Sequence, residues 1–199
     1  TGRKSDKFGV SIEVAISLVK KCRDCSSLNL VGLTCHIGSQ IMELKGFEDA
    51  ARQALDLLLE LDKLKIKIDF IDMGGGLGVN YIGEETIQPF ELIQSYEKIF
   101  AGRNERLILE PGRSISANAG ILLTRVEYKK DDFIIANAAM NDLLRPALYE
   151  AHHDVWPVMK TDNPKEKLNI VGPICETGDF LAKDINIVAS QNDLLAVKT

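Results

Sequence analysis

Ile66-Lys-Ile-Asp-Phe-Ile71 runs straight into Asp72-Met-Gly-Gly-Gly-Leu-Gly78. Ile66, Ile68 and Phe70 alternate, so the first segment reads as a buried strand and the second as the glycine-rich turn that leaves it. The same pattern recurs on either side. Leu28–Cys35 is a short apolar run rich in strand formers, and His36-Ile-Gly-Ser-Gln40 follows it. Leu107–Leu109 is the next strand, and Glu110-Pro-Gly-Arg113 follows that. Parallel α/β folds, (β/α)8 barrels above all, build their active sites at the C-terminal ends of strands. Polar, glycine-bearing loops after three consecutive strands therefore mark one functional face.

Helical patterns fill the spaces between these strands. Ile12, Ala15, Ile16 and Val19 predict an amphipathic helix over Ser11–Arg23 with Ser11 as its N-cap. Phe47, Ala50, Ala51, Ala54, Leu57, Leu58 and Leu61 mark one face of a long helix. Pro89 opens a third, whose face is Leu92, Ile93, Tyr96, Ile99 and Phe100. Helix alternating with strand implies parallel strands under covering helices. Near Gly120 the texture changes to short β-type runs: Ile121–Tyr128, Phe133–Ala136, Leu168–Val171, Ile185–Ala189 and Leu194–Val197. Asp131-Asp132 and the polar stretch Lys160–Lys167 read as connections between them. The expected organisation is an α/β part over residues 1–120 and a mostly β part over residues 121–199.

Composition narrows the function classes. The chain has 199 residues, is 45% hydrophobic and 27% charged, and carries a formal charge of −5, which suits a packed globular protein. Its richest apolar stretch, Ala54–Leu64, contains Asp56, Glu60, Asp62 and Lys63, so no membrane span is expected. Thr1–Lys7 has no apolar core, so no secretory leader is expected there. An acidic balance without basic clusters speaks against nucleic acid as a partner. Cys22, Cys25, Cys35 and Cys175 are too few and scattered for a disulfide scaffold, which points to a reducing cytoplasm. Cys22-x-x-Cys25 closes a helix instead of opening one, and reads as ordinary helix-end cysteines. His152-His153 reads as surface and not as a metal site, because adjacent side chains diverge. No metal is expected.

The loop residues offer specific chemistry. Gly74, Gly75 and Gly76 let backbone approach a bulky anion and donate N–H groups to phosphate oxygens; a tight turn without ligand is the alternative. The dinucleotide fingerprint is excluded by Val79, and a Walker A loop by the lack of a following Lys-Ser/Thr. Glu110, fixed by Pro111, can hold a protonated ring nitrogen or an amine. Arg113 suits a bidentate grip on carboxylate or phosphate; an ion pair between the two is the alternative. His36 is either a ligand contact beside Ser39 or a core histidine. In Met140-Asn-Asp-Leu-Leu-Arg-Pro-Ala-Leu-Tyr149, a helical turn would put Arg145 and Tyr149 on one face. Gly172-Pro-Ile-Cys-Glu-Thr-Gly-Asp179 sets Cys175 and Glu176 on a glycine-bounded loop.

Taken in order, His36-Ile-Gly-Ser-Gln-Ile41, Gly74-Gly-Gly-Leu-Gly78, Glu110-Pro-Gly-Arg-Ser114, Met140–Tyr149 and Cys175-Glu-Thr-Gly-Asp179 resemble the diaminopimelate decarboxylase family. That family belongs to the alanine-racemase-like, fold-type III pyridoxal-phosphate enzymes. The resemblance covers nearly the whole chain and implies a partial (β/α)8 barrel followed by a mostly β C-terminal domain. It implies pyridoxal 5′-phosphate as cofactor, with His36 stacked on the pyridine ring and Ser39 and the Gly74–Gly76 backbone on the phosphate. Glu110 would bond the ring nitrogen, with Gly112 and Arg113 also at the cofactor. Arg113, Arg145 and Tyr149 would grip the distal carboxylate of an amino-acid substrate, Glu176 its amine, and Cys175 would supply a proton. The implied reaction is decarboxylation of meso-2,6-diaminopimelate to L-lysine, in a cytoplasmic homodimer with shared active sites.

The chain also departs from the family's pattern. The barrel lysine that joins the cofactor has no counterpart in any motif here, and a tyrosine-glycine contact expected after Val197 is absent, so the expectation is an internal fragment of a larger enzyme. Asn137-Ala-Ala-Met140 stands where family members show Asp-Ala-Gly-Met. Two other classes compete. One is an ornithine- or arginine-type decarboxylase, against which Arg145 in its Leu-Arg-Pro setting argues. The other is a non-catalytic paralogue that binds or regulates, against which the retention of Glu110, Arg113 and Cys175 argues.

Overall fold

A computed structural model describes residues 7–160 and 162–199. The leader reading on Thr1–Asp6 lies outside the described residues, as does Thr161 within the polar connection. The chain divides into two units, one up to Val79 with Glu85–Ile115, the other Asn80–Glu84 with Ser116–Thr199.

In the first unit the order is α1 (Ile12–Arg23), β1 (Gly32–Thr34), α2 (Leu44–Lys63), β2 (Phe70–Asp72), α3 (Pro89–Ile99), β3 (Arg106–Ile108) and the short α4 (Arg113–Ser116). Ser11 caps α1, accepting from the Val14 N–H at 3.4 Å. Pro89 occupies the first turn of α3, where its missing N–H costs nothing, and Glu91 Oε2 accepts from the Gln88 N–H at 2.8 Å. The strands form a parallel sheet in the order β1-β2-β3. Phe47, Ala51, Ala54, Leu58 and Leu61 of α2 pack with Ile71, Met73, Leu92 and Tyr96 in one core, as the helical and strand periods require.

The ladders are shorter than the apolar runs. Leu28–Cys35 contributes only β1, and Ile66–Ile71 only its last two residues to β2. Ile66 and Ile68 are buried nonetheless, so their alternation reports packing beneath α2 and not strand pairing.

The second unit is built on a six-stranded sheet in the order β6-β9-β4-β5-β7-β8. Its strands are β4 (Leu122–Lys130), β5 (Phe133–Ala136), β6 (Val155–Pro157), β7 (Glu166–Val171), β8 (Phe180–Ile187) and β9 (Leu194–Val197). Pairing is antiparallel except between β5 and β7. Asp131, with φ 50°, turns the β4–β5 hairpin in the left-handed region that aspartate tolerates. Val126, Ile134, Leu168, Ile170, Leu181 and Leu195 form the core. One short helix, α5 (Arg145–Tyr149), lies between β5 and β6. Strand β6 carries a proline, which suppressed its strand signal; it sits at the sheet edge, where a lost N–H is tolerated.

Candidate active site

Parallel register carries the loops after β1, β2 and β3 off the same edge of the first sheet. They are then tied to one another through backbone. Glu110 N donates to Gly74 O at 2.9 Å, Ile41 N to Gly76 O at 2.9 Å, and Cys35 N to Asp72 O at 2.8 Å. The buried Asp72 carboxylate accepts from Gly74 N at 2.8 Å. Gly75 is glycine because a Cβ there would collide with the carbonyl oxygen of Glu110. At Gly76 the φ of 108° is left-handed, and a Cβ would meet the carbonyl of Gly38. The glycine run thus serves close loop packing. Among the described residues the N–H groups of Gly75 and Gly76 take no partner, so the tight turn also offers free donors.

His36 and Glu110 flank this turn. A Cβ on Gly74 would lie 2.9 Å from His36 Nδ1, and the Glu110 backbone packs on Gly75. Both side chains are exposed, so His36 is not a core histidine. Among the described residues Glu110 forms no ion pair, so the structural bridge to Arg113 does not exist. Arg113 instead donates from Nη1 to Gln40 Oε1 at 3.0 Å. Gln40 in turn donates to Val79 O at 2.6 Å and accepts from Val79 N at 3.2 Å. Sequence reasoning gave Gln40 no role, and its position in the loop after β1 was the available signal. Ser39 and Gly112 are exposed on the same loops. Burial and the nearby Asp72 carboxylate push the Cys35 thiol up to about 11.

The second unit holds the other candidates. Arg145 opens α5 and is half-buried, while Tyr149 at its end is exposed. Arg145 Nη1 lies 2.8 Å from His153 Nε2, and its guanidinium sits 4.7 Å above the Tyr81 ring. The expectation of two surface histidines is therefore corrected: His152 is exposed, but His153 is 8% exposed and bonded on both ring nitrogens. Among the described residues no cluster of three His, Cys, Asp or Glu side chains could hold a metal ion.

Cys175 and Glu176 are exposed on the loop between β7 and β8. Asp179, 3% exposed, anchors that loop: its carboxylate accepts from Ile174 N at 2.9 Å and from Met140 N at 2.7 Å. It thereby ties the Cys175 loop to the Met140 loop, a role that its place at the end of the motif did not disclose. Asn137 accepts from the Thr124 hydroxyl and from Arg125 N, each at 2.8 Å, using the oxygen that an aspartate would also offer. His36, Gly74–Gly76, Glu110 and Arg113 thus gather in the first unit, and Arg145, Tyr149, Cys175 and Glu176 belong to the second.

A family model described as "Pyridoxal-dependent decarboxylase, pyridoxal binding domain" matches residues 1–117, more than half of the chain. The chain belongs to the pyridoxal-dependent decarboxylase family. Its fold is accordingly a partial (β/α)8 barrel followed by a mostly β part, and the cofactor of the family is pyridoxal phosphate. The chain is 46% identical to a diaminopimelate decarboxylase of Pseudomonas aeruginosa over 203 residues, covering all of this chain and 49% of that one. It is 41% identical to one of Neisseria meningitidis, covering all of this chain and 50% of that one. A crystal structure of diaminopimelate decarboxylase from Helicobacter pylori complexed with L-lysine superposes with a TM-score of 0.94 at 36% identity, over all of this chain and 50% of that one. The chain spans about half the length of the curated relatives it matches. Among the described residues no helix is long and apolar enough to cross a membrane.

Proposed function

We propose that the full-length protein carrying this chain removes carbon dioxide from meso-2,6-diaminopimelate to give L-lysine, as a cytoplasmic, pyridoxal-phosphate-dependent homodimer with shared active sites. In it, residues 1–120 are the cofactor-binding barrel portion and residues 121–199 the β-rich domain. The observation that carries the reading is the strand-end cluster: a glycine turn flanked by the exposed His36 and Glu110, in which the Gly75 and Gly76 N–H groups and the Glu110 carboxylate take no partner among the described residues. These residues fit the cofactor. The free donors suit a phosphate, a flat exposed imidazole suits a ring face, and an unpaired carboxylate suits a protonated ring nitrogen. The whole-chain likeness to diaminopimelate decarboxylases supports the substrate.

Pyridoxal phosphate, when bound, supplies a sink for the electron pair left behind by carbon dioxide. Ser39 and the Gly75 and Gly76 N–H groups would hold its phosphate end, with Gly112 also at the cofactor. Glu110 would hold a proton on its ring nitrogen and so keep that sink electron-poor. Arg113, Arg145 and Tyr149 bind the carboxylate at the end of the substrate that does not react, and Glu176 accepts from its ammonium group. Cys175 holds a proton on Sγ and gives it to the substrate carbon that has lost its carboxylate. The test is turnover by the full-length protein with pyridoxal phosphate. Carbon dioxide and L-lysine in equal amounts from meso-2,6-diaminopimelate are expected; preferential decarboxylation of ornithine or arginine would overturn the assignment.

A further inference from the structure

We infer that His153 is a positioning residue for Arg145, a neutral acceptor that aims the guanidinium at an anionic ligand without cancelling its charge. The inference rests on the proposed contact between Arg145 and the distal carboxylate of the substrate. His153 Nδ1 lies 2.8 Å from the backbone oxygen of Lys198. A carbonyl can only accept, so Nδ1 carries the proton and Nε2 is left with its lone pair. That lone pair faces Arg145 Nη1 at 2.8 Å. The geometry therefore determines both the tautomer and the direction of the bond.

Tyr81 completes the mount. Its ring lies under the guanidinium at 4.7 Å and meets the His153 ring edge-on at 5.5 Å. Among the described residues no carboxylate pairs with Arg145, although carboxylates are the usual partners of a half-buried arginine. An aspartate in place of His153 would hold the guanidinium as firmly and would neutralise it, leaving little attraction for an incoming carboxylate. A neutral imidazole orients the fork and leaves its charge and remaining N–H donors to the ligand.

Two substitutions separate orientation from packing. The amide of His153→Asn reaches the Lys198 carbonyl but falls short of Arg145, while His153→Gln reaches Arg145 with its carbonyl oxygen. In the full-length protein, His153→Asn should raise KM for meso-2,6-diaminopimelate about tenfold, with kcat changed less than about twofold. Its specificity ratio over ornithine, which has one carboxylate, should fall by the same factor, and His153→Gln should restore most of it. Equal losses on both substrates, or no recovery in His153→Gln, would overturn the inference provided that Arg145→Met lowers the ratio. An unchanged ratio in Arg145→Met would instead sink the substrate role on which it rests. A further measurement needs no variant: ring ¹⁵N shifts of His153 in the wild-type protein should report the neutral Nδ1–H tautomer. An Nε2–H tautomer or an imidazolium at pH 7 would overturn it.

Discussion

Glu110 and Arg113 are three residues apart and carry opposite charges, yet each has other business. The arginine donates to Gln40, and the carboxylate, just beyond β3, is exposed and forms no ion pair among the described residues. Kept apart in this way, the two do not cancel one another. In the full-length protein, Glu110→Ala should lower kcat by a factor of about a hundred or more while KM moves far less, because the ring-nitrogen proton matters most as negative charge develops. An unchanged kcat would remove Glu110 from that role. Arg145→Met should lower the specificity ratio of diaminopimelate over ornithine about ten- to a hundredfold, the worth of a charge-assisted bidentate contact. Steady-state kinetics on both substrates checks it, and equal losses would make Arg145 structural. Cys35 shows the opposite use of burial. A thiol raised to about 11 stays protonated at pH 8, so iodoacetamide should label the exposed Cys25 well before Cys35, as peptide mass spectrometry would read. The same shift sets a stability window. Burying the neutral thiol is favourable below its ordinary value of 9.0, and this contribution is lost as pH rises from there through about 11.

At the scale of elements, the candidate loops are held by backbone groups that no side-chain motif announces. The ties between Glu110 N and Gly74 O and between Ile41 N and Gly76 O need strands in parallel register, which alternation of helix and strand implied. Helix α1 with Ser11, helix α3 with Pro89, and strands β5 and β9 were legible because local chemistry alone fixes their ends. Strand β6 was not, since Pro157 masks it and only the sheet edge excuses it. Nor was the burial of His153, which depends on Tyr81 and on the Lys198 carbonyl, far away in sequence. Asp179 belongs to the same class. Removing its carboxylate leaves the Met140 and Ile174 N–H groups without their acceptor, so Asp179→Ala should cost about 2 kcal/mol of stability. Asp179→Asn, keeping one acceptor oxygen, should fall between. Urea unfolding midpoints order the three proteins, and equal midpoints would show that the two loops are held by something else.

On the scale of the whole chain, the face proposed to hold the cofactor lacks one kind of residue. No lysine lies in the loops after β1, β2 or β3, which run from Cys35 to Glu43, Met73 to Gln88 and Leu109 to Gly112. The covalent attachment that pyridoxal enzymes use therefore has no donor on this face, and the 199-residue chain alone should release no carbon dioxide from diaminopimelate with added pyridoxal phosphate. The sheet that carries the loops has three strands, so β1 and β3 both present an unpaired edge among the described residues. Val14 and Leu18 on α1, Phe90 and Ile93 on α3, and Ile115 are exposed in the same unit. Open ladder edges beside exposed apolar side chains recruit further strands and surfaces, the usual route to self-association. The isolated chain should therefore sediment as a concentration-dependent mixture at micromolar levels and bind a hydrophobic dye. A single monomeric species with one cooperative, reversible thermal transition would show that these open edges do not drive self-association.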